Sequence, residues 1–178
     1  MKILIVGGLG AGKSTLAYEL CHKLNLPRLN LDEVARNKAD GSWRSEKEYM
    51  KILNQFMLKN KKNWVAEGSH AVLIRKINPD FIIYVKVNRL IRLFRFTKRF
   101  IIAKRLIGKE IDPDLPVQAY HYRKLSLTKI RDYDVSGVEI INDLKDFFKL
   151  TPAPILIYKK KKDLEKILLF IEKKHDRH

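Results

Sequence analysis

The chain has 178 residues, 46% of them hydrophobic and 10% aromatic, which is enough apolar surface for a folded core and excludes a wholly disordered protein. Its 37 lysines and arginines outnumber 20 acidic residues, and the formal net charge of +17 favours polyanionic partners, nucleic acid among them, although a lysine-rich surface also serves solubility. The single cysteine, Cys21, excludes an internal disulfide, and because no run of about 18 apolar residues occurs, we expect a single cytoplasmic domain with no membrane partner.

The N-terminal region predicts a strand, a glycine-rich turn and a helix. The unbroken apolar run KILIV at 2–6 is typical of a parallel strand that is covered on both faces. Apolar residues then recur at helical spacing from Leu16 to Leu24, and Pro27 follows the end of this helix. The turn between them, GGLGAGKS at 7–14, fits the phosphate-loop pattern G-x-x-x-x-G-K-[ST]. It lies between a predicted strand and a predicted helix, as that pattern requires.

This turn predicts a nucleotide-binding site. Its glycines allow backbone N–H groups to surround phosphate oxygens, and the positive end of the following helix strengthens the attraction. Lys13 would contact the β- and γ-phosphates of ATP during catalysis, and the Ser14 hydroxyl would ligate Mg²⁺. A Rossmann dinucleotide loop is excluded, because Lys13 stands where its third glycine is needed. The predicted nucleotide-binding residues are Gly8, Leu9, Gly10, Ala11, Gly12, Lys13, Ser14 and Thr15.

Two acidic residues follow the next predicted strands. LNL at 29–31 is typical of a short strand leading into Asp32, and WVA at 64–66 predicts a third strand leading into Glu67. Between them, SEKE at 45–48 forms a capping box that predicts the start of a helix. Ligands of parallel sheets bind beyond the carboxyl ends of the strands. We therefore expect the phosphate loop, Asp32 and Glu67 to lie at one edge of the sheet.

A fourth strand and a strongly basic helix come next. FIIYVKV at 81–87 is a strand by its β-branched and aromatic content, and a helix is predicted over about 89–107. Basic residues of that helix are spaced three or four apart, so they form a cationic stripe on one face, whose mutual repulsion a bound anion would relieve. The stripe comprises Arg89, Arg92, Arg95, Lys98 and Arg99.

The remainder of the chain is less regular. A proline-rich break at 112–116 precedes the poorly assigned segment 117–150, and ILIY at 155–158 predicts a fifth strand before a last helix. Strands that alternate with helices at this spacing predict an α/β fold with a parallel sheet. Within the poorly assigned segment, the candidate elements are helices around 118–131 and 142–150 and a strand at 138–141.

Several segments resemble a known family. The chain is similar to adenylate-kinase-related P-loop kinases, in particular to the group of DNA topology modulation proteins. The resemblance implies a P-loop NTPase three-layer sandwich of the nucleoside-monophosphate-kinase type, with five parallel strands in the order 2-3-1-4-5. It also implies one domain over 1–178 with a basic, lid-like helical region at about 89–116. Beyond the phosphate loop, the matching segments are LNLDEV (29–34), DGSWRSEKEY (40–49), NWVAEGSH (63–70), NRLIRLFRFTKR (88–99) and, more weakly, ILIYKKKKDLEKIL (155–168).

The resemblance also implies roles for individual residues. Asp32 would bind or deprotonate the acceptor hydroxyl, with helix capping as the alternative. Glu67 stands where the family usually has Asp and would hold Mg²⁺ or orient the acceptor. Arg95 and Arg99 would close over the triphosphate, with a solvated basic face as the alternative, and Lys86 departs from the Asp that the family often carries in this strand. The predicted catalytic residues are thus Lys13, Asp32, Glu67, Arg95 and Arg99, and the predicted metal ligands are Ser14 and Glu67.

Together these features predict an ATP-dependent kinase. It would move the γ-phosphoryl group of ATP to a nucleotide or other small molecule, with Mg²⁺ as cofactor and ADP as product. Two alternatives stay open: an ATPase or nucleotide-gated switch without an acceptor, and a nucleic-acid-binding protein or polynucleotide kinase. Trp43 would either line the acceptor pocket or pack against a helix, and His70 is expected to be a polar surface residue.

Overall fold

The computed structural model describes residues 1–37, 41–105, 142 and 144–175, apart from the side chains of 96, 99, 100 and 102–105. The proline-rich break at 112–116, the helix predicted around 118–131 and the alternative strand at 138–141 lie outside these residues, as does the C-terminal part of the lid-like region. None of the helices in the described residues is long and apolar enough to cross a membrane.

The described residues form one five-stranded sheet in which all neighbouring strands are parallel. Its order, β2-β3-β1-β4-β5, is the predicted one, and the α/β fold class is confirmed. The predicted fifth strand agrees with the structure at both ends. The strands are β1 (Lys2–Gly7), β2 (Arg28–Asn30), β3 (Trp64–Glu67), β4 (Phe81–Val85) and β5 (Ile155–Tyr158).

Helices connect the strands. The predicted capping box is confirmed at the start of the third helix, where Ser45 and Glu48 each bond the other's backbone N–H group. The fourth helix has five residues and was not predicted, because it is too short to show helical periodicity. The helices are α1 (Lys13–Leu24), α2 (Leu31–Val34), α3 (Glu46–Lys59), α4 (Ala71–Arg75), α5 (Arg89–Arg105), α6 (Lys145–Leu150) and α7 (Asp163–His175).

The fourth strand ends two residues earlier than predicted. The N–H group of Lys86 donates a last hydrogen bond of 2.9 Å to the carbonyl of Tyr158, after which the chain leaves the sheet. The side chain of Asn88 then accepts a hydrogen bond of 2.9 Å from the N–H group of Leu90 in the first turn of α5. A side-chain cap thus converts the strand into the basic helix within three residues.

Both faces of the sheet are buried, which explains the unbroken apolar run of the first strand. Along β1, Leu4 and Val6 belong to one core cluster, and Ile3 and Ile5 belong to the other. Side chains of α3 and α4 cover the first face, and those of α1 and α7 cover the second. The helices cover the two faces of the sheet but not its carboxyl edge. The turn that follows β1 lies at this edge, as is usual in parallel α/β folds.

Candidate active site

The phosphate loop connects β1 to α1 in a conformation that requires glycine. Gly10 and Gly12 have φ angles of +73° and +98°, which residues with a Cβ rarely adopt. Lys13, the first residue of α1, is only 6% exposed, and its Nζ donates a hydrogen bond of 3.3 Å to the carbonyl of Gly8. Gly12 gives α1 no side-chain cap, the arrangement expected where a bound anion satisfies the first N–H groups.

A chain of hydrogen bonds joins the loop to the end of β3. The Ser14 hydroxyl donates a bond of 3.2 Å to Oε2 of Glu67, and Nη2 of Arg28 donates one of 2.9 Å to Oε1. Glu67 is 1% exposed, and this burial raises the pKa of its carboxyl group, although Arg28 and Lys13 oppose the rise. The structure therefore brings together Lys13, Ser14 and Glu67, three of the residues singled out from the sequence.

Asp32 lies just beyond β2, and its carboxylate does not cap a helix. The cap of α2 is Asn30, whose side chain accepts hydrogen bonds from the N–H groups of Asp32 (3.0 Å) and Glu33 (3.3 Å). Oδ1 of Asp32 instead accepts bonds from the backbone N–H (3.0 Å) and hydroxyl (3.3 Å) of Ser69. The capping alternative for Asp32 is wrong, because α2 begins at Leu31, two residues earlier than that alternative required. Ser69 was missed, since one serine after a strand carries no distinctive pattern.

The helix α5 lies directly on the phosphate loop. Nη1 of Arg95 donates hydrogen bonds of 3.4 and 3.3 Å to the carbonyls of Gly10 and Ala11. A Cβ at Gly8 would overlap Nη1 of Arg92, and a Cβ at Gly10 would stand 2.7 Å from the backbone oxygen of Arg92. Both arginines thus reach the loop from one helical turn. Sequence reasoning placed Arg92 on the cationic stripe without a role at the loop.

The remaining predicted site residues differ from one another in burial. Leu9 is half-buried, Ala11 is buried against the core, and Thr15 is exposed on α1. The N–H group of Ala11 donates a hydrogen bond of 3.2 Å to the carbonyl of Gly8, which closes the loop upon itself. Arg99 belongs to α5, but its side chain lies outside the described residues.

An aromatic and basic group lies near Asp32. His70 is half-buried rather than a surface residue: its Nδ1 accepts a hydrogen bond of 3.4 Å from the N–H of Leu73, and its ring is 5.6 Å from Trp43. Burial lowers the pKa of His70. Trp43 also stacks with Arg36, whose Cζ is 3.6 Å from the indole centroid. Neither Arg36 nor the contact of His70 with Trp43 was predicted, because 27 positions separate the two rings in the sequence.

Comparisons with known proteins place the chain by its fold. No protein-family model matches it, and no curated protein matches it. Among solved structures, it is similar to a "putative kinase" from Chloroflexus aurantiacus J-10-fl, with a TM-score of 0.55 and 16% identity over 98% of this chain and 95% of the other. It is also similar to shikimate kinase from Bacteroides thetaiotaomicron, with a TM-score of 0.50 and 13% identity over 98% and 97% of the two chains. At these identities the likeness shows a P-loop kinase fold.

Proposed function

We propose that this protein is a P-loop phosphotransferase that binds ATP with Mg²⁺ and transfers the γ-phosphoryl group to a nucleotide or other small molecule. The hydrogen bond between Ser14 and Glu67 carries this proposal, because it joins the GKS end of the phosphate loop to an acidic side chain of the neighbouring strand. A glycine-rich turn that only connected two elements would need neither a buried lysine nor this acidic partner.

The residues at the loop fit a magnesium nucleotide. The Ser14 and Glu67 oxygens are the hard ligands that Mg²⁺ prefers, and both would hold it together with phosphate oxygens. When bound, Mg²⁺ neutralises charge on the transferring phosphoryl group. The Lys13 ammonium would exchange the carbonyl of Gly8 for phosphate oxygens, and Arg95, which contacts the carbonyl of Gly10, would add a second cation.

The position of Asp32 is the reason for proposing phosphoryl transfer to an acceptor and not ATP hydrolysis. Its carboxylate is held by Ser69 beyond the end of β2, beside the strand that carries Glu67. A fixed carboxylate at this place could orient an acceptor hydroxyl and accept its proton. An ATPase or nucleotide-gated switch would have no need of it. We also infer a single domain in which α5 begins the basic lid, and we retain the relation to DNA topology modulation proteins as part of the proposal.

Calorimetry tests nucleotide binding. We expect Mg-ADP to bind and Lys13→Ala to weaken it about 10- to 100-fold, the value of a hydrogen bond to a charged group. Lys23→Ala is the matched control, because it removes the same charge from an exposed position of α1. Equal affinities of the two variants, both with wild-type circular dichroism, would remove the basis of the proposal.

Labelled ATP separates phosphotransfer from its alternatives. Incubation with a panel of metabolites and oligonucleotides should label a small-molecule acceptor in a Mg²⁺-dependent reaction. Label found only in inorganic phosphate would support the ATPase. Retardation of an oligonucleotide without ATP, weakening steeply with salt, would support nucleic-acid binding by the +17 surface.

A further inference from the structure

The helix α5 turns apolar side chains toward solvent. Leu90, Phe94, Thr97 and Ile101 are spaced four, three and four positions apart, so they lie on one face of the helix, called the outer face below. Leu90 is 73% exposed, Phe94 is 70% exposed and Ile101 is 45% exposed. A surface helix of a globular protein usually buries its apolar face against the core. The orientation of α5 is therefore the reverse of the usual one.

The contact of α5 with the phosphate loop explains this orientation. At about 3.6 residues per turn, Arg92 lies on the side of the helix opposite Leu90 and Phe94. That side faces the loop, because a Cβ at Gly10 would stand 2.7 Å from the backbone oxygen of Arg92. Arg95 donates its hydrogen bonds to loop carbonyls from the same side. With its basic side held by the loop, the helix presents the outer face to solvent.

The outer face is apolar in spite of its one hydroxyl group. Oγ1 of Thr97 donates a hydrogen bond of 3.0 Å to the carbonyl of Leu93, so this donor is satisfied within the helix. Leu93 and Ile91 lie on either side of the outer face and are 37% and 48% exposed. Single exposed apolar residues are common on proteins, whereas several on one helix face indicate an interaction surface.

The charge of α5 indicates the chemistry of the partner. The helix RLIRLFRFTKRFIIAKR contains seven lysines and arginines and no acidic residue. Lys98 is exposed and follows Phe94 by four positions, so it lies beside the outer face. Exposed apolar residues that are flanked by basic ones are typical of a helix lying in the surface of a membrane that contains anionic lipids.

We propose that the outer face of α5 docks on an anionic lipid surface. Leu90, Phe94 and Ile101 enter the boundary between headgroups and acyl chains, and Lys98 meets the lipid phosphates. Arg92 and Arg95 stay on the phosphate loop, so lipid docking and nucleotide binding use opposite sides of one helix. The expectation of no membrane partner rested on the lack of a spanning run, which a helix lying on the surface does not need.

Other occupants fit the outer face less well. A second copy of this chain would bring another strongly basic α5 to the first, and the like charges would repel. A nucleic acid would neutralise the basic residues but would leave the aliphatic side chains next to phosphates and water. A deep protein groove would have to enclose the helix, although the phosphate loop already holds its other side. A lipid surface needs only the exposed side.

Co-sedimentation with lipid vesicles tests the proposal on the full chain. One set of vesicles is phosphatidylcholine alone, and the other is an equimolar mixture with phosphatidylglycerol. We expect the chain to bind the anionic vesicles at least about tenfold more tightly than the neutral ones, since each basic residue near an anionic surface adds to the attraction. This binding should weaken as the salt concentration rises.

Matched variants separate the apolar contribution from the charge. Phe94→Gln should lower the affinity for anionic vesicles about tenfold, because it removes apolar area from the lipid boundary. Leu58→Gln is its control, since Leu58 is 66% exposed on α3, and should leave the affinity unchanged. Lys98→Gln should lower the affinity about fivefold and reduce its salt dependence, whereas Lys47→Gln removes an exposed charge of α3 and should not.

An indole placed on the outer face reports whether this face enters the lipid. The fluorescence of Phe94→Trp should be quenched by lipids that carry bromine on their acyl chains. Leu58→Trp should show no more quenching than the wild type, whose own tryptophans are Trp43 and Trp64. Wild-type circular dichroism of each variant shows that it is folded.

The outcomes distinguish this inference from the proposed function and from other occupants. Lys13→Ala should weaken Mg-ADP binding, as above, and leave vesicle binding intact. Equal binding to neutral and anionic vesicles, or equal losses in Phe94→Gln and Leu58→Gln, would overturn the inference. A chain that does not sediment with vesicles would also overturn it. In that case, a dimer that Phe94→Gln dissociates would assign the outer face to a second copy, and oligonucleotide retardation that Lys98→Gln weakens would assign the charges to nucleic acid.

Discussion

Nη2 of Arg28 donates a hydrogen bond of 2.9 Å to Oε1 of Glu67 and forms an ion pair with it between two adjacent strands. The Arg28 side chain is 32% exposed and that of Glu67 is 1% exposed, so water screens one partner only. The pair therefore compensates a buried charge whose other oxygen accepts the hydroxyl hydrogen bond of Ser14 at the phosphate loop.

Replacing Arg28 by methionine should destabilise the protein at neutral pH. The variant leaves the buried Glu67 carboxylate with less compensation, and we expect a loss of about 1–3 kcal/mol in the free energy of unfolding, less than for a fully buried pair because Arg28 is partly exposed. Urea denaturation measures the loss. In a Glu67→Gln background the same substitution should cost much less, and an unchanged cost would show that the ion pair is not its cause.

The pH dependence of stability should reveal the raised pKa of Glu67. Because the folded state binds this proton more tightly than the unfolded state, Glu67 stabilises the fold most below its ordinary value of 4.5, and that stability is lost as the pH rises through its higher folded pKa. Urea titrations of wild type and Glu67→Gln should therefore show wild type losing stability relative to the variant as the pH rises from about 4.5 toward neutrality. A difference that stays constant with pH would contradict the burial argument.

A substitution at Gly8 should be rescued by shortening Arg92. The added Cβ of Gly8→Ala overlaps the movable guanidinium, so we expect a loss of about 1–3 kcal/mol in stability that Arg92→Ala largely restores. Gly10→Ala is the control: its Cβ meets the backbone oxygen of Arg92, which every residue has, and its φ is +73°. Rescue of both alanine variants, or of neither, in urea denaturation would exclude the packing described here.

Arg95 should contribute to turnover more than its charge alone explains. Its guanidinium reaches the carbonyls of Gly10 and Ala11, and loss of one such donor at a developing charge typically lowers kcat by about 100-fold. Lys98→Ala removes the same charge from an exposed position of the same helix and should change kcat by no more than about threefold. Steady-state kinetics with Mg-ATP distinguish the two, and similar losses would favour a solvated basic face.

Removing the Ser14 hydroxyl should change the requirement for Mg²⁺. Ser14→Ala deletes one proposed ligand, so the Mg²⁺ concentration for half-maximal activity should rise roughly tenfold, the equivalent of about 1.4 kcal/mol. Thr97→Ala is the control, since it removes a hydroxyl that donates to the carbonyl of Leu93 within α5. If the Mg²⁺ titrations of the two variants coincide, Ser14 does not bind the metal.

The phosphate loop and the strands were predictable because their signals are local, whereas the order of the strands in the sheet was implied by the family resemblance. GGLGAGKS stands between a buried strand and a helix, and φ angles of +73° and +98° at Gly10 and Gly12 give a physical reason for the glycines. The capping box at Ser45 was likewise contained within four residues. The start of α2 was missed, since its cap, Asn30, lies in what reads from the sequence as a strand.

The sequence by itself determined the fold class and the loop, since apolar periodicity, glycine positions and cap residues act over a few neighbouring positions. Only the tertiary structure decided which charged side chains meet: Ser69 lies 37 positions from Asp32, and Arg95 lies 85 positions from Gly10. Such contacts depend on how helices pack across a sheet whose order differs from the order of the chain. The physical reason is that burial and the reach of side chains, not spacing in the sequence, determine which polar residues make these contacts. Arg36, Ser69 and Arg92 are three such residues in a chain that is rich in polar side chains.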